Sequence, residues 1–316
     1  MNLPLPPPDL HTRLTSDDAT VRRLALIDLA ELEDEDFVPW LLQALQDADP
    51  DVRTEAAERL AYWEQDATVQ SLVKALEDPV NEVREAAAHS LAELKLLSAG
   101  TWLLPAVDHE DAFVRASALR ALRELRVPES HGPALRRLDD ADHRVRLEAV
   151  GVLGWLKRED ALSGLAWVAQ HDGQADVRRA AVGSLGYASD DQVLPALLSA
   201  LADPAWQVRE EAATTLGKLK LAGALEALIL ALDDAYWQVR QRAARALGQL
   251  RQPKAVRAVA ALLAHSIVNL RKEAVIALGE IRDRSALGAL EAALTDPDPE
   301  VRKVARLAVS QIEGQA

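Results

Sequence analysis

The sequence predicts an all-α fold, a right-handed α-solenoid of about ten helical hairpins, and three observations predict it. An arginine recurs as Arg22, Arg53, Arg84, Arg115, Arg146, Arg178, Arg209, Arg240, Arg271 and Arg302; eight of the nine intervals are 31 residues and one, Arg146 to Arg178, is 32. Three places after each arginine stands Ala, from Ala25 to Ala305, and seven places after stands Leu in nine copies, with Val309 in the tenth. The 316 residues are 49% hydrophobic but only 4% aromatic, so the apolar mass is Ala, Leu and Val, the residues of packed helices rather than sheets. A fixed period of this length marks a repeat architecture.

Taking the elements in order, each arginine belongs to the second helix of its copy. Apolar residues at −1, +3, +7 and +10 from it form one helical stripe, for example Val208, Ala212, Leu216 and Leu219. The constant Ala at +3 predicts a point where a neighbouring backbone comes close. Asp49-Pro50 and Asp298-Pro299 read as an N-cap followed by Pro in the first turn. Gly154, Gly186, Gly217, Gly248 and Gly279 share the +8 position near the helix end. Upstream lies a shorter amphipathic helix, as in "GALEALILAL" from Gly223 and "ALGALEAAL" from Ala286. One hairpin cannot bury its apolar face, whereas stacked hairpins share a continuous core.

The copies run approximately over 9–32, 36–63, 67–94, 98–125, 129–156, 160–188, 191–219, 222–250, 253–281 and 284–312, within a single solenoid domain spanning 1–316. The ends carry capping features: "PLPPPD" leads into the first helix, and Arg306 and Ser310 replace small or apolar residues in the last. Asp at −6 in seven copies (Asp47, Asp78, Asp140, Asp172, Asp203, Asp234 and Asp296) predicts a ladder in which guanidinium forks join turn carboxylates and helix-end carbonyls.

The pattern DPxxxVRxxAaxaLGxl followed by AxxaLxxAL resembles the HEAT repeats of the phycobilisome-lyase (PBS-lyase) type over nearly the whole chain, most closely in Asp203–Leu232 and Asp296–Ile312. The resemblance implies that the second helices line a concave face. It also brings enzymes into view. Deoxyhypusine-hydroxylase relatives carry His-Glu pairs directly after the repeat arginine. Here Glu55, Glu148, Glu211 and Glu273 keep the Glu, but their preceding residues are Thr54, Leu147, Glu210 and Lys272, and the one His-Glu dipeptide, His109-Glu110, lies in a turn. Phycobilin lyase subunits are the closer resemblance, and nothing in the chain singles out a bilin site.

Charge narrows the partners further. The net charge is −14, and residues 1–62 hold 14 acids against 5 bases, a field that repels a nucleic-acid backbone. The same surplus of acid also serves solubility. The start has no basic and apolar signal regions, and no apolar run approaches the ~18 residues of a membrane span. A cytoplasmic protein with neither nucleic acid nor membrane as partner is expected. His109, His143 and His171 fall on successive turns roughly 10 Å apart, too far for one metal bound at about 2 Å. With no Cys, phosphate loop or nucleophile elbow, no catalytic residue, metal or cofactor is expected. A row of bases at +11 (Lys95, Arg126, Lys157, Lys220, Arg251 and Arg282) either complements the helix dipoles or forms a ridge for an acidic partner.

Two places stand out as candidate binding sites. Trp206 and Trp237 share the −3 position, with Tyr236 beside the latter, and form either an exposed edge patch or a filling over the turns. On the face opposite the buried stripe, at +1, +5 and +9, most copies are polar, as in Glu85, His89 and Glu93. The central two read Leu147, Gly151, Trp155 and Arg179, Gly183, Tyr187. Gly costs about 1 kcal/mol against Ala inside a helix, so two such glycines suggest a hollow with an apolar floor and aromatic rim, bordered by Arg120 and Arg179; the alternative is that both aromatics lie flat. The function expected is a non-catalytic scaffold binding another protein or peptide on its concave face. The alternative is a phycobilin-lyase-like or cofactor-chaperone subunit handling a tetrapyrrole.

Overall fold

Each copy folds as the helix pair that its periodicity dictates. The structure, a computed structural model, describes residues 4–314; residues 1–3 and 315–316, the ends of the expected 1–316 domain, lie outside it. Among the described residues there are twenty α-helices, joined by turns and short 3-10 segments, and no strand. The chain is an α-solenoid of ten hairpins that divides into two compact units, one ending at Leu156 and the other starting at Lys157. The division falls within the one 32-residue interval.

In the first unit the arginine-bearing helices are Ala19–Ala30, Pro50–Arg59, Asn81–Ala92, Ala112–Leu125 and His143–Leu156. In the second they are Ala175–Ser184, Trp206–Leu219, Trp237–Leu250, Val268–Ile281 and Pro299–Glu313. Within each unit, successive second helices pack against each other and against the shorter helix of their own copy. The +3 Ala is 0% exposed in all ten copies. The Asp-Pro starts are as expected: Asp49 accepts from the Asp51 N–H and Asp298 from those of Glu300 and Val301, each with Pro in the first turn.

Close backbone approaches also occur at +8, at Gly217 and Gly248. A Cβ on Gly217 would stand 2.7 Å from Ala246 Cα of the next copy, and one on Gly248 2.9 Å from Ala277 Cα. Helices this close leave no volume for a methyl group.

The arginine ladder is present. Arg209 donates from Nε and Nη2 to both oxygens of Asp234 in the next copy (2.6 and 2.9 Å), while Nη1 donates to the Asp203 and Pro204 carbonyls of its own turn. Arg22–Asp47, Arg53–Asp78, Arg115–Asp140, Arg178–Asp203 and Arg271–Asp296 repeat the bidentate grip. Each Asp also accepts the backbone N–H two residues on, as Asp234 does from Tyr236. Where His109 and His265 replace the Asp, imidazole Nδ1 accepts that N–H instead, from Asp111 and Ile267. The arginines facing them lose their forks. Arg84 reaches Asp111 through Nη2 alone and lies 4.5 Å from the Phe113 ring, and Nε of both Arg84 and Arg240 is buried without a partner.

The ladder makes stability depend on acid. Burial opposes the charge of Asp47, Asp78, Asp140, Asp203 and Asp234, but hydrogen bonds from the arginine and the turn backbone outweigh it and hold each carboxyl below the ordinary range. A pKa lower folded than unfolded gives stability that is whole above the unfolded value, about 3.9, and is lost as pH falls through the folded one. The urea midpoint is expected to hold from pH 7 to about 4.5 and then fall steeply; a midpoint unchanged down to pH 3 would contradict this.

Candidate protein-binding site

In the first unit, Leu147 is half-buried and Trp155 is 49% exposed, with the Arg126 guanidinium 4.5 Å from the centre of its ring. Arg126 itself ends its helix in the left-handed conformation (φ 57°), as do Lys157, Lys220, Arg251 and Arg282. The +11 bases thus sit where the negative end of the helix dipole favours them.

The expected apolar floor is corrected by the structure. An added Cβ on Gly151 would meet Arg123 Cδ at 2.9 Å, so that arginine's stem lies across the glycine. Arg123 is held by Glu148, 5% exposed, whose other oxygen accepts from Arg120 Nε at 3.0 Å. Arg120 is therefore engaged within the chain rather than free at a border.

In the second unit, Arg179 is exposed, and Gly183 is covered by Glu211, whose Oε1 would lie 3.0 Å from an added Cβ. Burial pushes the Glu211 carboxyl up, and the charge of Arg179 only partly opposes it. Tyr187 is half-buried and its hydroxyl donates to the Arg158 carbonyl at 2.7 Å. Burial, together with Asp160 and Glu159, pushes that hydroxyl up to about 12. Gly151 and Gly183 belong to different units, and each has a charged side chain over it.

At the turn edge, Trp206 stacks not on Trp237 but on Tyr236, with ring centres 5.4 Å apart and planes at 13°. Tyr236 is 45% exposed, while both indoles are half-buried. Arg209 lies 5.7 Å from the Tyr236 ring, so the stack also braces a ladder rung.

Sequence reasoning weighed the +2 glutamates as metal ligands and missed their pairing across copies. Arg245 grips the buried Glu273 with two bonds (2.9 and 2.7 Å), and Arg120 reaches Glu148 with one. The signal was available: both arginines stand at +5 in the preceding copy, and Gly183 at that place leaves Glu211 without one. Also missed was Tyr62, at +9 like Trp155 and 77% exposed. Among the described residues no group of three or more His, Asp or Glu could hold a metal ion, and no helix is long and apolar enough to cross a membrane.

Comparison with known proteins places this architecture. The model for HEAT repeats matches residues 7–99, 100–173, 162–235 and 225–310. No curated protein matches the sequence. An engineered protein of known structure is 23% identical, with a TM-score of 0.56 over 96% of this chain and 98% of its own. Importin beta aligns with a TM-score of 0.65 at 14% identity, covering 97% of this chain and 50% of its own. Kap95p, in a structure describing its binding to RanGDP, aligns at 0.62 and 15%, covering 97% and 48%. This chain spans about half the length of the latter two, and the likeness is one of fold.

Proposed function

The chain belongs to the HEAT-repeat proteins, and from that premise we propose that it is a non-catalytic scaffold that binds another protein or peptide on the outward faces of its second helices. One observation carries this reading: the copies agree where they pack and differ where they are exposed. The +3 Ala is fully buried in every copy. The +9 position reads Glu31, Tyr62, Glu93, Glu124, Trp155, Tyr187, Lys218, Gln249, Glu280 and Gln311. Packing cannot account for a Tyr 77% exposed and a Trp 49% exposed, whereas aromatic anchors of this kind concentrate binding energy at interfaces. In this reading the copies are of the PBS-lyase type and act as one binding domain in the cytoplasm. The acidic balance and the protein partner named for Kap95p, RanGDP, support a protein rather than a nucleic acid as ligand.

The candidate contact residues are Leu147, Trp155, Arg179, Tyr236 and the residues around them. Affinity capture from the native host with wild type and with Trp155→Ala plus Tyr236→Ala tests the reading. A stoichiometric protein partner, bound at least about tenfold more weakly by the variant, is the expected result. Capture untouched by the variant would overturn this surface, and a visible absorbance band on the purified protein would favour tetrapyrrole handling instead.

A further inference from the structure

The first two copies reverse a charge that the fold sets elsewhere. At +11, where six of the other copies carry Lys or Arg, the sixth Ser189 and the last Glu313, they carry Glu33 and Glu64. An anion there faces the negative end of the helix dipole, and Glu33 also takes the left-handed conformation, φ 50°. Glu64 has a structural use, because its carboxylate accepts the Lys95 and Leu96 backbone N–H groups. Glu33 has none. Like Glu31 and Glu58, it is exposed and makes no ion pair with any described residue.

These carboxylates converge on Tyr62. On one side lies a cavity of about 510 Å³ lined by Glu31, Glu33, Arg59, Tyr62 and Trp63. On the other lies one of about 680 Å³, whose walls include Tyr62, Glu58, Glu64, His89 and Glu93. Arg59, the cation common to both, is neutralised by the buried Glu55 at 2.6 Å. In the second cavity Lys95 reaches Glu93 only at 3.9 Å, with both side chains exposed. An exposed ring flanked by carboxylates that lack a counter-ion attracts a cation twice, through the ring quadrupole and through charge.

We propose that the two hollows around Tyr62 dock a basic segment of a partner protein, with one arginine or lysine head group on the Tyr62 ring beside Glu31 and Glu33 and a second against Glu58 and Glu93. The proposal rests on the protein-binding reading and narrows its partner chemistry. Stacked helices lie about 8–10 Å apart, and an extended chain rises about 3.3 Å per residue. The matching segment therefore carries basic residues three positions apart.

The test uses the full chain and the peptide acetyl-GRGGRGG-amide, with its GEGGEGG counterpart as control, titrated by NMR and calorimetry at low and moderate salt. Saturable binding of the arginine peptide alone is expected, with shifts confined to the residues around Tyr62. Tyr62→Ala, and separately Glu31→Gln with Glu33→Gln, should each weaken it at least tenfold, and the glutamine pair should flatten its salt dependence. All three side chains are exposed, so these variants keep the fold, and Leu230→Ala, at an exposed side chain outside both hollows, should leave peptide affinity unchanged. No saturable binding, or binding indifferent to both variants, overturns the proposal. If native-partner capture still depends on Trp155 and Tyr236 in that case, the scaffold reading stands and only the basic-segment reading falls.

Discussion

Arg209→Ala is expected to lower the unfolding free energy by about 3 kcal/mol, the scale of removing one partner from a buried ion pair. The pair qualifies, since the Arg209 and Asp234 side chains are 14% and 11% exposed. Three connections fail together: the bidentate grip on the next copy, the bonds to the Asp203 and Pro204 carbonyls, and the packing against Tyr236. Asp234 keeps only the Tyr236 N–H. Arg209→Lys retains the charge but not the fork and should recover less than half of the loss. Urea unfolding measures both, and the gap between wild type and Arg209→Ala should shrink below about pH 4, where the unfolded chain takes up a proton that Asp234, held below the ordinary range in the folded wild type, resists. A loss under about 1 kcal/mol would place the pair with ordinary surface bridges.

Gly217→Ala is expected to destabilise by about 1–3 kcal/mol, although Ala is the better helix former by about 1 kcal/mol. The new Cβ would meet the backbone of Ala246 at 2.7 Å, and a neighbouring helix axis cannot move for one methyl group without disturbing its own contacts. Gly183→Ala provides the contrast. Its Cβ would meet only the mobile carboxylate of Glu211, so helix propensity decides and the variant should gain up to about 1 kcal/mol. Thermal melts of the two variants that ranked them the other way round would refute this account of close packing.

The architecture was legible because every copy states the same constraints: a stripe at −1, +3 and +7, and an arginine answered by an aspartate. The close approach at Gly217 was not legible, because the sequence of one copy does not say which residue of the next it faces. Ala246, at +6, supplies that information only in three dimensions. The exposed face was less legible still. Gly151 suggested a void, yet the stem that fills it comes from Arg123, one copy earlier, drawn there by the buried Glu148. Tyr62 escaped notice because its copy is polar at the accompanying positions, Thr54 and Glu58, and exposure there is not written in any periodicity.

The histidines at 109 and 265 give the array a mechanical character. A layered spring yields at its least-braced joint, and each unit has one: between the third and fourth copies in the first, and between the eighth and ninth in the second. There the rivet is reduced to a single bond from Arg84 to Asp111, or for Arg240 leaves Nε without any partner. Under a bending load these joints are expected to yield before the doubly riveted layers beside them. Each unit is then expected to change its curvature by deforming one joint, without melting a helix.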